Sequence, residues 1–170
     1  MPLFTALIAS LSLTGASTDV HSVDWGANAA PTGPEAGSVS YCMLWAGRTR
    51  PNMFNISLYD PSVERFAHGQ PELLMAAPWL DGRRNGSVIE TRIDMPGGVV
   101  MTRLGQYYEA GPHMTITRLS SLDEVLAGLS QPGEISITMG GQTVRYAVPE
   151  LTAALDRFRA CVAQLPPAAQ

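Results

Sequence analysis

The residues EISITMGGQTVRYAVPELTAALDRFRACVA, positions 134–163, predict a β-hairpin followed by a helix. The first half of this stretch alternates apolar and polar side chains on both sides of Gly140-Gly141. That pattern is typical of two half-buried antiparallel strands joined by a two-residue turn. In this register Ile137 faces Val144, so turn and pattern agree on one apolar face.

The second half of the stretch predicts a C-terminal helix from Pro149 to about Ala163. Proline suits the first position of a helix, because its missing N–H would have no partner there. Apolar residues recur at helical spacing and form a stripe that would pack on the sheet. The stripe consists of Leu151, Leu155, Phe158, Val162 and Leu165.

Upstream segments show the alternation of strands. The predicted strands cover residues 39–46, 52–59, 73–79, 88–95, 99–104 and 114–118. Residues 73–79 also fit a short helix between Pro71 and Pro78. Residues 105–112 are predicted as a loop.

A capping box predicts a second, short helix over residues 121–129. The Ser121 hydroxyl would accept from the amide of Glu124, whose carboxylate would reach back. Together these elements predict an α+β fold. It is an antiparallel β-sandwich or partial barrel of about seven to eight strands, with the small helix and the C-terminal helix packed on the sheet.

The first residues predict export. Residues 1–16 carry no charge, and their apolar core has the length of a signal peptide but is too short to span a membrane. Small residues place cleavage after about Ala16, which predicts a periplasmic or secreted protein without a transmembrane helix. Because no Lys or Arg precedes the apolar core, a buried first helix or strand is the alternative.

Residues 17–37 are rich in Gly, Pro, Ala and Ser and show no regular period, which predicts a flexible tether. Trp25 within it either packs back on the domain or docks a partner. Residues 38–170 then form a single β-rich domain.

The chain has two cysteines, Cys42 in the first predicted strand and Cys161 near the end of the last helix. In an exported protein they predict a disulfide that fastens this helix to that strand. Two unrelated buried thiols are the alternative for a cytosolic protein. Metal binding is not predicted, since cysteines so far apart lack the paired spacing of zinc sites.

The formal net charge of −4 argues against nucleic acid as a partner, because phosphate binding needs clustered Lys and Arg. The turn Asp81–Gly86 holds Arg83 and Arg84, which form either a solvated loop or an anion site. The predicted recognition surface combines this turn with nearby aromatic residues, either as contact residues or as ordinary packing at the sheet rim. It comprises Trp79, Arg83, Arg84, Tyr107 and Tyr108.

The sequence has no motif of a serine hydrolase, a phosphate-binding loop or a metalloprotease, so neither a catalytic residue nor a cofactor is predicted. One enzymatic alternative remains, a hydrolase in which His113 works with Glu109 or Asp94. Glu90 is a further carboxylate that would lie near these two. The other alternative is a structural subunit of an envelope complex.

The layout resembles that of small uncharacterised envelope proteins of alphaproteobacteria. Shared features are an apolar leader, a Trp-containing tether, a Cys in the first strand and a final helix ending in Cys. The C-terminal stretch, about residues 134–163, resembles the end of the invasion-associated locus B family, although this chain lacks that family's closely placed early cysteines. The resemblance implies a periplasmic β-sandwich-like domain and transfers no site.

These observations predict an exported, non-enzymatic envelope protein that binds another protein or a small ligand. The ligand, the partner and the oligomeric state are not specified by the sequence.

Overall fold

The computed structural model describes residues 19–30, 41–47, 53–63, 69–109 and 114–167. Ten strands form one sheet: β1 Val20–His21, β2 Trp25–Ala30, β3 Tyr41–Ala46, β4 Met53–Tyr59, β5 Glu72–Ala76, β6 Val88–Asp94, β7 Val100–Tyr108, β8 Met114–Arg118, β9 Gly133–Met139 and β10 Gln142–Val148. The helices are α1, Leu122–Leu129, and α2, Thr152–Val162, and short 3₁₀ turns span Pro78–Leu80 and Pro96–Gly98. None of the helices in these ranges has the length and hydropathy needed to cross a membrane.

The sheet curls into a partial barrel. Its strand order is β1-β10-β9-β6-β7-β8-β5-β4-β3-β2, so the first two strands of the chain lie at opposite edges. Residues 22–24 alone link these strands, and three residues span at most about 10 Å. The two edges therefore lie close together, and the indole Nε1 of Trp25 donates across them to the carbonyl of Ala147 in β10 at 2.9 Å. The predicted α+β fold with a partial barrel is confirmed, with more strands than the seven to eight expected.

The two additional strands arise inside residues 17–37, where the structure differs from the predicted tether. β1 pairs in parallel with β10, and β2 pairs antiparallel with β3. The sequence of β2, WGANAA, offers almost no contrast between polar and apolar side chains, so periodicity does not reveal it. Trp25 packs edge-on against Phe54 with 5.3 Å between ring centroids, as the packing alternative predicts. The predicted signal peptide lies outside the described residues.

The C-terminal hairpin has the predicted register, with Ile137 opposite Val144. Helix α2 begins at Thr152, three residues after the predicted start at Pro149, and Leu151 is its N-cap. Residues 73–79, for which strand and helix were both open, form β5 followed by a 3₁₀ turn.

Strand β7 continues to Tyr108, so the predicted loop is wrong for residues 105–108. Gly105 looks like a strand terminator in the sequence, but it pairs with Thr117 of β8. A Cβ at Gly105 would overlap the Thr117 hydroxyl, so the glycine permits the close approach of two paired strands.

Helix α1 is capped partly as predicted. The Ser121 hydroxyl accepts from the amide of Glu124 at 3.4 Å. The Glu124 carboxylate accepts instead from the hydroxyl of Ser120 at 2.8 Å.

The inner face of the curled sheet holds the core. The alternation of side chains along β3 shows which residues face it. Cys42, Leu44 and Ala46 are buried, whereas the residues between them are half-buried on the outer face. Helix α2 packs against β2 and β3 and buries Leu155 and Phe158. The outer face of β2, β3 and β4 is left available for a surface site.

Candidate functional site

The disulfide between Cys42 and Cys161 fixes α2 beside the edge of the sheet. The two Cα atoms are 5.8 Å apart and 119 residues apart in the chain, and both cysteines are buried. This confirms the predicted disulfide. Because Cys42 points inward from β3, its neighbours Met43 and Trp45 must point outward.

Trp45 lies flat across the edge strand β2. It stands directly opposite Gly26 in the antiparallel register, and a Cβ at Gly26 would overlap the Trp45 ring. An aromatic ring covering a glycine on the neighbouring strand is a recognised way of stabilising an edge glycine. The indole is therefore held in place on the outer face as one wall of a surface groove.

This groove, called here the Trp45 groove, has a volume of about 560 Å³. Its lining consists of Trp25, Gly26, Ala27, Asn28, Met43, Trp45, Gly47, Met53, Asn55 and Arg157. Two indoles and two thioethers provide apolar surface, two amides provide hydrogen bonds, and one guanidinium provides positive charge. No carboxylate lies among these lining residues.

Asn55 is the most deeply placed polar group of the Trp45 groove. It is only 8% exposed, and its Oδ1 accepts from the hydroxyl of Ser57 at 3.2 Å. The amide nitrogen of the same side chain remains a donor for a bound molecule. Buried amides of this kind orient ligands in apolar sites, because an unpaired donor there costs free energy.

The predicted recognition surface is only partly assembled. The turn Asp81–Gly86 does lie beside the end of β7, because Asn85 Oδ1 accepts from the amide of Glu109 at 3.1 Å. Tyr107, however, is fully buried on the inner face, so its assignment to a surface is wrong. A loop over residues 105–112 would leave Tyr107 exposed. Because β7 continues to Tyr108, the alternation of side chains along the strand directs Tyr107 to the inner face.

The other predicted recognition residues are separated. Tyr108 is half-buried, and its hydroxyl donates to Gln106 at 2.7 Å. Arg84 is exposed, whereas Arg83 is half-buried and its guanidinium lies against Gly140 in the β9–β10 turn. Trp79 is half-buried in a 3₁₀ turn. Tyr108 and Arg83 line two different grooves, Tyr108 beside Leu104 and Arg83 beside Gly140.

The carboxylates named for the hydrolase alternative do not form a cluster. Asp94 is paired with Arg92, whose Nη2 lies 2.7 Å from Asp94 Oδ1. The hydrogen bond from Arg92 lowers the pKa of Asp94 and keeps it ionised. Glu90 and Glu109 are exposed, while His113 and His68 lie outside the described residues. No group of three or more His, Cys, Asp or Glu side chains that would hold a metal ion occurs within the ranges described.

A second outer-face groove lies over β5, β8, β7 and β6, with a volume of about 410 Å³. Leu104 and Val88 line it and are 69% and 66% exposed. Arg118 and Glu72 form an ion pair at its side, with 3.7 Å between Nε and Oε1. This groove lacks a charged group without a counterion, so we use it below as the control surface.

Comparison of the chain with protein-family models, with curated proteins and with solved structures gave no match.

Of the residues that line the Trp45 groove, the sequence pointed only to Trp25, as a residue that either packs on the domain or docks a partner. A signal was also present in β3, where Met43 and Trp45 alternate with the inward-facing Cys42. Arg157 and residues 26–28 had no such signal, because their meeting depends on the curl of the sheet.

Proposed function

We propose that the protein is an exported, non-enzymatic envelope protein that binds another protein or a small ligand in the Trp45 groove. A stacked or apolar part of the bound molecule would lie against Trp45 and Met43. A negatively charged part would face Arg157, the one charged side chain among the described residues of the groove lining. The molecule is bound and released unchanged.

Two observations support the proposal that the protein resides in an oxidising compartment. The chain begins with an uncharged apolar segment of signal-peptide length. The only two cysteines of the chain form a buried disulfide, and such bonds persist in extracytoplasmic compartments and are rare in the cytosol.

The observation that carries the binding proposal is the placement of Trp45 on Gly26. Trp45 is half-buried on the outer face beside Met43, so its ring offers apolar surface to a bound molecule at the wall of the groove. Here the side chain is oriented by the strand beneath it, so little conformational entropy is lost when a ligand packs against it.

The test uses two defined probe sets: small aromatic carboxylic acids, and acetylated, amidated octapeptides of random sequence that each contain one Asp or Glu. Binding is followed by the shift in thermal unfolding midpoint and by tryptophan fluorescence. We expect at least one set to bind wild-type protein and the control variant Leu104→Ala, and to bind Trp45→Leu at least tenfold more weakly. Equal binding by wild type and Trp45→Leu, or binding of neither set, would refute the proposal.

A further inference from the structure

Strand β2 ends the sheet, and the direction of its backbone groups follows from one hydrogen bond. The amide of Gly47 donates to the carbonyl of Asp24 at 2.9 Å, which makes these two residues a hydrogen-bonded pair. Such pairs alternate along an antiparallel ladder, so Gly26 and Asn28 also direct their backbone groups toward β3. The N–H and C=O groups that point away from the sheet belong to Trp25, Ala27 and Ala29.

The Trp45 groove includes this outward edge. Residues 25–28 all line it, although successive side chains of a strand point to opposite faces of the sheet. A groove confined to one face would be lined by alternate residues only. The groove therefore wraps around the edge of β2 and reaches Arg157 on α2, which packs against the other side of the strand.

The described residues of β2 carry no side chain of the kinds that block pairing at an edge. Proteins shield edge strands with Lys, Pro or inward-pointing charges, and WGANAA contains none of these. Its small side chains leave the backbone accessible, and both Asn28 and Ala29 are exposed. An unshielded edge beside a groove is the arrangement by which proteins accept an additional strand.

Arg157 gives the edge its charge preference. The arginines at positions 92, 118, 145 and 159 each form an ion pair with a carboxylate. Within the part of the chain that the structure describes, Arg157 forms no such pair, and it is exposed on α2. Its charge is thus available to a carboxylate brought to the edge of β2.

From these contacts we infer the kind of partner, an inference that rests on the binding function proposed above. The partner is a protein that inserts an extended internal segment beside β2 as an additional strand. Its backbone pairs with the outward groups of Ala27 and Ala29, one apolar side chain packs on Trp45, and an Asp or Glu side chain reaches Arg157.

The test is amide hydrogen exchange by NMR with the full chain, using the octapeptide that binds best from the acetylated, amidated set. In the free protein we expect the amides of Gly26 and Asn28 to exchange slowly and those of Ala27 and Ala29 to exchange fast. We expect bound peptide to slow exchange at Ala27 and Ala29 at least tenfold and to leave Gly26 and Asn28 unchanged. If the peptide binds but does not slow amide exchange at Ala27 and Ala29 relative to Gly26 and Asn28, the inference is wrong.

Variants test the same contacts by affinity. Ala27→Pro removes one outward N–H, and Ala27→Ser is the matched control that keeps it. We expect Ala27→Pro and Arg157→Gln each to weaken peptide binding about tenfold or more, and Ala27→Ser to bind as wild type does. If Ala27→Pro fails to fold, peptides that are N-methylated at every second residue replace this variant. We expect peptides with one of the two alternating methylation patterns to bind about tenfold more weakly or worse, and peptides with the other pattern to bind as the unmodified peptide does.

The outcomes separate this inference from the proposed function. If aromatic acids bind through Trp45 and no octapeptide binds, the binding function holds and strand addition is wrong. If peptides bind but Arg157→Gln binds them as wild type does, the contact with an internal acidic side chain is wrong. If neither probe binds, both proposals fail.

Discussion

At the scale of single residues, Tyr146 places a polar hydroxyl in the apolar core. Its ring packs 4.8 Å from that of Phe54, between centroids, and the residue has no exposed surface. Among the residues that the structure describes, its hydroxyl has no hydrogen-bond partner. Burial alone raises the pKa of Tyr146 well above its usual range.

We expect Tyr146→Phe to keep or raise the free energy of unfolding at neutral pH, by up to about 1 kcal/mol, because it removes an unpaired buried hydroxyl. The difference should grow in alkali. Above the unfolded-state pKa of about 10, unfolded Tyr146 releases a proton that the folded state retains, so wild-type stability falls by up to about 1.4 kcal/mol per pH unit.

Urea unfolding at pH 8 and at pH 11 measures this difference. Tyr108→Phe is the matched control, since it removes a tyrosine hydroxyl that is hydrogen-bonded to Gln106 outside the core. An identical slope in wild type and Tyr146→Phe would show that the Tyr146 hydroxyl reaches solvent.

At the scale of elements, helix α2 is a short amphipathic segment whose position depends on one covalent bond. Cys161 fastens it to β3 near its C-terminal end, while Leu155 and Phe158 pack on the sheet. Arg157 lies on the same helix, so the charge of the Trp45 groove is positioned by the disulfide.

Replacing Cys161 with Ser should therefore lower the free energy of unfolding by about 2–5 kcal/mol in oxidising buffer. Reduced wild-type protein should match the double variant Cys42→Ser, Cys161→Ser, which serves as the control. Differential scanning calorimetry gives the midpoints. A variant as stable as oxidised wild type would mean that packing alone holds α2.

Elements with strong local signals could be predicted from sequence. The β9–β10 hairpin has both a Gly-Gly turn and an alternating pattern, and α1 has a capping serine. β2 could not be predicted, because Gly and Ala carry no hydrophobic period and its stability comes from pairing with β3. The groove could not be predicted either, since it needs Arg157 and β2 to be brought together by a curl that no local pattern encodes.

At the scale of the whole molecule, residues 19–30 close the sheet. β1 adds to β10 at one edge, β2 adds to β3 at the other, and Trp25 bridges the gap. The predicted cleavage after Ala16 would leave this closing segment intact.

We expect a chain that begins at Ser17 to unfold at the same temperature as the full-length chain. A chain that begins at Asp24 lacks β1 and should lose about 1–3 kcal/mol, because the outer edge of β10 then loses its partner. Intact mass and thermal unfolding of the protein recovered from an exporting host test both. Equal midpoints for the two truncated chains would show that β1 contributes nothing.

The pairing of β1 with β10 also sets the order of events as the chain emerges from a ribosome or a translocon. β1 cannot pair until β10 has been synthesised. Likewise, Cys42 cannot form its disulfide until Cys161, which lies 119 residues later, has been synthesised. Contacts of such sequence separation form slowly, because a long loop must close before they form. An N-terminal fragment that ends before β9 holds the neighbouring strands β2 to β8 but lacks β9 and β10, so β1 has no partner until synthesis is nearly finished.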